Sequence, residues 1–161
     1  MTLFRDSLTI GVVIERRALA NAWASETWQP IAVLPAEPGF ETRRLRDDGT
    51  IAQWLAGPVD LTLHRSDVAS YRYNLAGERP GLFVALRRDD EAGPIPWRVL
   101  LVTAAPDEAQ KLMDCGEDVI EAVPMPDFVR GWIEAFAALC PADEPFEKRQ
   151  RKNWRGEAGN R

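Results

Sequence analysis

The sequence predicts an α+β domain: an antiparallel sheet or partly closed barrel of about six to eight short strands, carrying short helices and a C-terminal amphipathic helix packed on it. Three observations lead there. Short apolar runs with alternating polarity follow one another, separated by Gly and Pro turns, so neighbouring strands pair locally. Regular alternation of strand and helix is missing, which sets aside a doubly wound parallel sheet. The strongest helical periodicity, over residues 127–140, comes after all the strands.

Residues 9–15 read T-I-G-V-V-I-E, and Ile10, Val12 and Ile14 alternate as on one face of a strand, which Arg16 and Arg17 are expected to end. A second strand is expected over 29–34, closed by Pro35, and a polar edge strand over 40–46. Asp48-Gly49 is a hairpin signal with a return strand over 50–55, and Gly57-Pro58 is expected to break the chain before another strand at 59–63. Ser66 should cap a short helix whose apolar stripe is Val68, Tyr71 and Leu75, with Asn74 and Gly77 as stop residues. The continuous run 82–86 reads as a central strand covered on both faces, paired with the apolar strand 97–103.

Pro106 suits the first position of a helix, where its missing N–H costs nothing, and Gly116 stops it. A short strand is expected at 119–123. The last helix should bury Phe128, Val129, Trp132, Ile133, Phe136 and Leu139, with Arg130 and Glu134 as an exposed pair. Trp97 also reads as core.

The chain has 161 residues, 45% apolar and 28% charged, with a net charge of -5. That length suits one domain over 1–145 with a basic tail over 146–161. The tail holds six Lys/Arg against two Glu, a net of +4, which leaves -9 for residues 1–145. An acidic body repels phosphate backbones, so a dedicated nucleic-acid binder is not expected. No apolar run approaches the roughly 20 residues of a membrane span, and residues 1–16 lack a secretory pattern. A cytoplasmic location is the expectation. Two cysteines, Cys115 and Cys140, exclude a disulfide scaffold and read as buried thiols.

Reactive constellations are missing. There is no G-x-G-x-x-G, no G-x-x-x-x-G-K-[ST], no G-x-S-x-G and no C-x-x-C. His64 is the only histidine, so paired-imidazole metal sites are excluded. Asp114, Glu117, Asp118 and Glu121 form an acidic cluster without EF-hand spacing, best read as a solvated edge. No cofactor and no metal are expected, and nothing in the sequence argues for catalysis. The candidate groups are those of binding. Trp23 and Trp28 bracket a polar segment near Arg16 and Arg17, a composition suited to a protein-binding anchor. Lys148, Arg149, Arg151, Lys152 and Trp154 in the tail suit docking on an acidic partner. A different reading gathers Arg16, Arg17, His64 and Arg65 into a pocket for a small anion.

Several blocks together carry a family resemblance: V-I-E-R-R at 13–17, W-Q-P-I-A-V-L-P at 28–35, L-H-R-S-D-V-A-S-Y-R-Y-N-L at 63–75, V-A-L-R-R at 84–88, P-D-E-A-Q at 106–110, V-P-M-P at 123–126 and E-P-F-E-K-R-Q-R-K at 144–152. The chain resembles a bacterial domain-of-unknown-function family, DUF3305. The resemblance implies an association with molybdenum- or tungsten-dependent formate dehydrogenase systems, and a protein partner such as a molybdoenzyme subunit or assembly factor. Some relatives carry a molybdopterin-guanine dinucleotide biosynthesis label. A nucleotidyltransferase of that kind needs an N-terminal glycine-rich loop with a lysine, whereas residues 1–17 contain one glycine and no lysine. The expectation is therefore a non-catalytic accessory or maturation factor acting by protein binding. The alternative is a domain in cofactor biosynthesis that binds a pterin-type anion.

Overall fold

The computed structural model describes residues 5–20, 25–116 and 118–140. Trp23 and the tail residues Lys148, Arg149, Arg151, Lys152 and Trp154 lie outside the described residues, as does Glu117. The elements are β1 (Arg5–Ala18), β2 (Glu26–Pro35), β3 (Arg43–Asp47), β4 (Ile51–His64), α1 (Val68–Ala76), β5 (Gly81–Arg88), β6 (Trp97–Thr103), α2 (Pro106–Cys115), β7 (Val119–Pro124) and α3 (Asp127–Leu139). The fold is α+β, with seven strands in two antiparallel sheets ordered β2-β1-β4-β3 and β6-β5-β7. The sheets touch where β4 meets β6 and where β2 meets β7, but they share no ladder there, so the barrel is not closed.

The β1–β4 pair is the longest ladder, running from Arg5↔His64 to Arg17↔Ile51. Its apolar residues Ile10, Val12, Ile14, Leu61 and Leu63 are fully buried. They meet Leu82, Val84 and Leu86 of β5 and Val129 and Ile133 of α3 in one core. Burial of such side chains contributes roughly 1.5–3 kcal/mol each. Residues 82–86 lie in the middle strand of the second sheet and 97–103 pair with them, as the sequence predicts. Pro106 opens α2, and Gly116 ends it in the left-handed conformation at φ 72°.

Several expectations need correction. Gly57-Pro58 does not split the region into two strands. β4 runs through it at a register shift, where Ile10 faces Val59 and Val12 faces Ala56. A bulge tolerates a proline because no ladder bond needs its N–H. Gly57 has φ +133°, and a Cβ there would stand 3.1 Å from the Val59 nitrogen and 3.3 Å from the Ile10 oxygen. Phe40, expected inside a strand, instead lies in the connection before β3, with its ring tip 3.2 Å from the Cβ positions of both Gly11 and Gly57. Arg16 and Arg17 do not end β1. Trp28 and Thr27 on one side and Ala52 and Ile51 on the other continue the ladder past them.

Ser66 caps no helix. A 3-10 turn, Arg65–Asp67, leads into α1 without a side-chain cap. Asn74, read as a stop residue, is buried. Its Nδ2 donates to the carbonyls of Gly81 (2.7 Å) and Ala104 (2.9 Å), and its Oδ1 accepts from the Gly81 N–H (3.1 Å). On α3 the buried stripe is Val129, Ile133, Phe136 and Ala137, while Phe128 and Leu139 are exposed. The stripe is narrower than expected, and α3 also meets α1, whose Arg72 donates to the Ala137 carbonyl at 3.0 Å. Trp132 and Trp97 are half-buried rather than core. The Trp132 indole N–H donates to Asp6 Oδ2 at 2.8 Å. Cys140 is a buried free thiol. Nothing is described of the Cys115 side chain.

Gly57→Ala is therefore expected to cost about 2–3 kcal/mol, because positive φ and two backbone contacts act together. Urea denaturation checks this. An unchanged midpoint would show that the bulge does not depend on glycine.

Candidate functional site: a tryptophan–arginine cluster

The hairpin β3–β4 and the β1–β2 pair place four side chains together at one end of the first sheet. Trp28 opposes Arg16 across β1–β2, Arg16 opposes Ala52 across β1–β4, and Arg44 opposes Trp54 across β3–β4. Directly opposed residues share a face. The Trp28 and Trp54 rings are 5.4 Å apart and tilted by 36°. The Arg16 guanidinium carbon lies 5.5 Å from the Trp54 ring centre. Such cation–π and ring pairs contribute about 0.5–1.5 kcal/mol each. Glu26 holds both outer members. Its Oε1 accepts from the Trp28 indole N–H at 3.1 Å, and its Oε2 is 3.8 Å from Arg16 Nε.

Trp54 is only 8% exposed and belongs to the core, Trp28 is half-buried, and the Arg16 and Arg44 side chains are 31% and 63% exposed. The cluster thus grades from a buried ring to an exposed charge across four strands. Arg44 Nη1 lies 3.5 Å from Asp47 Oδ2.

The opposite face of the same strands carries Glu15, which is buried. Gln53 Nε2 donates to its Oε2 at 2.9 Å and Arg17 Nη2 to its Oε1 at 3.2 Å. The Gln53 hydrogen bond, followed by the Arg17 bond and charge, holds the Glu15 carboxyl below its usual range, against the opposing effect of burial.

Of the sequence-predicted residues, Arg16 and Trp28 meet in this cluster and Arg17 lies on the reverse face beside Glu15. His64 and Arg65 do not join them. His64 ends β4 opposite Arg5, at the far end of the ladder from Arg17 and Ile51. The four cationic groups of the anion-pocket reading therefore do not converge. The His64 N–H donates to the Tyr71 hydroxyl at 3.0 Å, and burial pushes that phenol up to about 12.

Beside His64 lies a cleft of about 210 Å³, lined by Arg5, Asp60, Thr62, His64, Thr103 and Glu108. Its carboxylates are engaged: Thr9 Oγ1 donates to Asp60 (3.1 Å) and Thr103 Oγ1 to Glu108 (2.8 Å). In the acidic cluster, Asp118 takes the Arg87 guanidinium at 3.0 and 3.3 Å. No group of three potential metal ligands is found among the described residues, and no helix among them is long and apolar enough to cross a membrane.

Sequence reasoning missed Trp54, Arg44 and Glu26 as partners. The Asp48-Gly49 turn was the available signal, because counting outward from it brings the strand of Arg44 against the strand of Trp54. The register shift between Arg44 and Arg46 spoils a simple count.

The described elements thus define a two-sheet α+β protein with a tryptophan–arginine cluster at one sheet end. The chain belongs to the family of proteins of unknown function DUF3305, whose model matches residues 9–150. No curated protein and no solved structure matches the chain.

The Glu15 geometry sets a pH dependence. A carboxyl held low in the folded state contributes stability above its ordinary value of 4.5 and loses it as the pH falls through the lower folded value. Chemical denaturation of wild type and Glu15→Gln from about pH 7 to about pH 3 should show the wild-type advantage shrinking in that acid window. A difference constant across the range would remove the carboxylate from the account.

Proposed function

We propose that the protein is a non-catalytic accessory or maturation factor that acts by binding another protein, within a molybdenum or tungsten formate dehydrogenase system in the cytoplasm. The supporting observation is the Arg16–Trp28–Trp54–Arg44 cluster. Tryptophan and arginine are the residue types that dominate binding energy at protein interfaces. Here the rings are held by core packing and by Glu26, so little side-chain entropy would be lost on docking. The formate dehydrogenase context rests on the sequence resemblance alone.

The competing reading, a pterin-type anion pocket, has less support. Arg16 and Arg17 lie at the opposite end of the β1–β4 ladder from His64, and the cleft at His64 sets Asp60 and Glu108 against Arg5.

Affinity purification of the tagged full chain from its native host, with identification by mass spectrometry, tests the docking reading. Wild type should recover a formate dehydrogenase subunit or a cofactor-assembly protein. Arg16→Glu combined with Trp28→Ala should reduce that recovery by about tenfold or more. Recovery of no such protein, or recovery indifferent to both substitutions, would overturn it.

A further inference from the structure

β3 is the free edge of the first sheet, with a ladder to β4 only. It is five residues long, R-R-L-R-D, and every one of them is exposed. Its outward backbone N–H and C=O groups form no bond to another described strand. Such an edge is a template for an added strand.

The charge around it is distinctive. Residues 5–65 hold seven arginines against eight Asp/Glu, and five of the arginines, Arg16, Arg17, Arg43, Arg44 and Arg46, sit at this corner of the sheet. Residues 66–140 hold seven Lys/Arg against thirteen Asp/Glu. The edge strand β3 itself carries three arginines against one aspartate, a net of +2 on a chain of net -5.

Arg43 makes no ion pair among the described residues, and it lines a cleft of about 350 Å³ with Pro35, Glu37, Phe40 and Leu55. Arg44 and Arg46 pair with neighbours on the turn, Asp47 at 3.5 Å and Asp48 at 2.6 Å, and the Arg46 charge also helps hold the Glu15 carboxyl low. Exposed pairs of this kind contribute little to stability. Exchanging them for carboxylates of an incoming chain therefore costs little. Asp48 is also committed elsewhere, because its Oδ1 accepts from the N–H groups of Thr50 and Ile51 and so fixes the turn.

We infer that β3 is the docking edge for an acidic extended segment of a partner protein, which adds as a fifth strand and sets its carboxylates among Arg43, Arg44 and Arg46. The inference rests on the docking reading and gives it a partner chemistry. Backbone pairing would supply affinity and the arginines would select sign. The arginines' other role, guarding a bare edge against aggregation, needs positive charge on β3 but no affinity for acidic chains.

The probe is a blocked octapeptide of Glu and Val, Val-Glu-Glu-Val-Val-Glu-Glu-Val, titrated into the full chain with amide NMR and hydrogen exchange as readouts. It presents carboxylates on both faces of an added strand, because Arg43 and Arg44 lie on opposite faces. Binding should shift and protect the amides of residues 43–47. Arg43→Glu with Arg44→Glu should weaken it by about tenfold or more, while Arg43→Lys with Arg44→Lys should largely retain it. The same peptide N-methylated at alternate backbone positions should also bind about tenfold more weakly.

Equal binding of the methylated peptide would overturn strand addition, since charge alone would then suffice. Equal binding of a Lys-Val octapeptide would overturn the acidic partner. A peptide-free dimer abolished by the Glu substitutions would make a second copy the occupant and overturn it as well. The outcomes separate from those of the purification experiment. A recovered partner that the Glu-Val peptide fails to displace sinks the edge and leaves the docking reading standing. Failure to recover a partner sinks the docking reading itself.

Discussion

The long antiparallel ladder between β1 and β4 is the constraint on which the other features depend. Both strands have fourteen residues, and every other part of the first sheet hangs on them. β2 and β3 flank one end, and the other half of β4 runs beside β6 of the second sheet. A pair this long must accommodate sheet twist, and the register shift at Gly11 and Gly57 is where it does so. The two glycines leave room for the Phe40 ring, which covers the bulge from outside while Ile10, Val12 and Ile14 fill the inside. The bulge therefore sits between a layer on each face, and β4 continues through it as one strand of the first sheet to its contact with β6.

The ladder also explains why the cationic residues of β1 and β4 form no common pocket. Opposed ends of a fourteen-residue pair cannot converge unless the sheet rolls up on itself. His64 and Arg65 are committed to the turn into α1, where Tyr71 takes the His64 N–H. Arg16 and Arg17 are adjacent in sequence and so point to opposite faces. One stacks on Trp54 and the other binds a buried carboxylate. Two arginines that look alike in the sequence thus meet different surroundings, an aromatic surface and an anionic one. The difference comes from the parity of the strand, not from residue type.

Much of the second half of the fold was legible because its signals are local. Pro106 and Gly116 bound α2, the apolar run at 82–86 marks a central strand, and 97–103 pairs with it. The first half was less legible because its determinants are pairings. Gly57-Pro58 reads as a break unless the partner strand is known to shift register opposite it. Asn74 reads as a helix stop unless Gly81 and Ala104 are known to present their backbone groups to it. Phe128 and Leu139 fit the helical period of α3, yet stay exposed, because periodicity gives the direction of a stripe and not its width. Of the cluster itself, Arg16 and Trp28 were legible as an aromatic next to basic residues. Trp54 and Arg44 were not, because the shift beside Leu45 hides their opposition.

The same ladder bears on how such a surface could select a partner. Trp54 is packed into the core opposite Ile14, so its ring is held from behind by the sheet as well as by Trp28 and Arg16 in front. Arg16 and Arg44 flank that ring from neighbouring strands, and each has a carboxylate at hand, Glu26 or Asp47. Net attraction from the corner is therefore modest at long range, and screening over about 10 Å weakens it further. If the proposed docking holds, selectivity would arise at contact, where an incoming carboxylate would displace a local one and an apolar group would meet the edge of the tryptophan pair. An interface of the proposed kind would discriminate by fit to a rigid ring and a sheet edge, and charge would decide only which chains remain there.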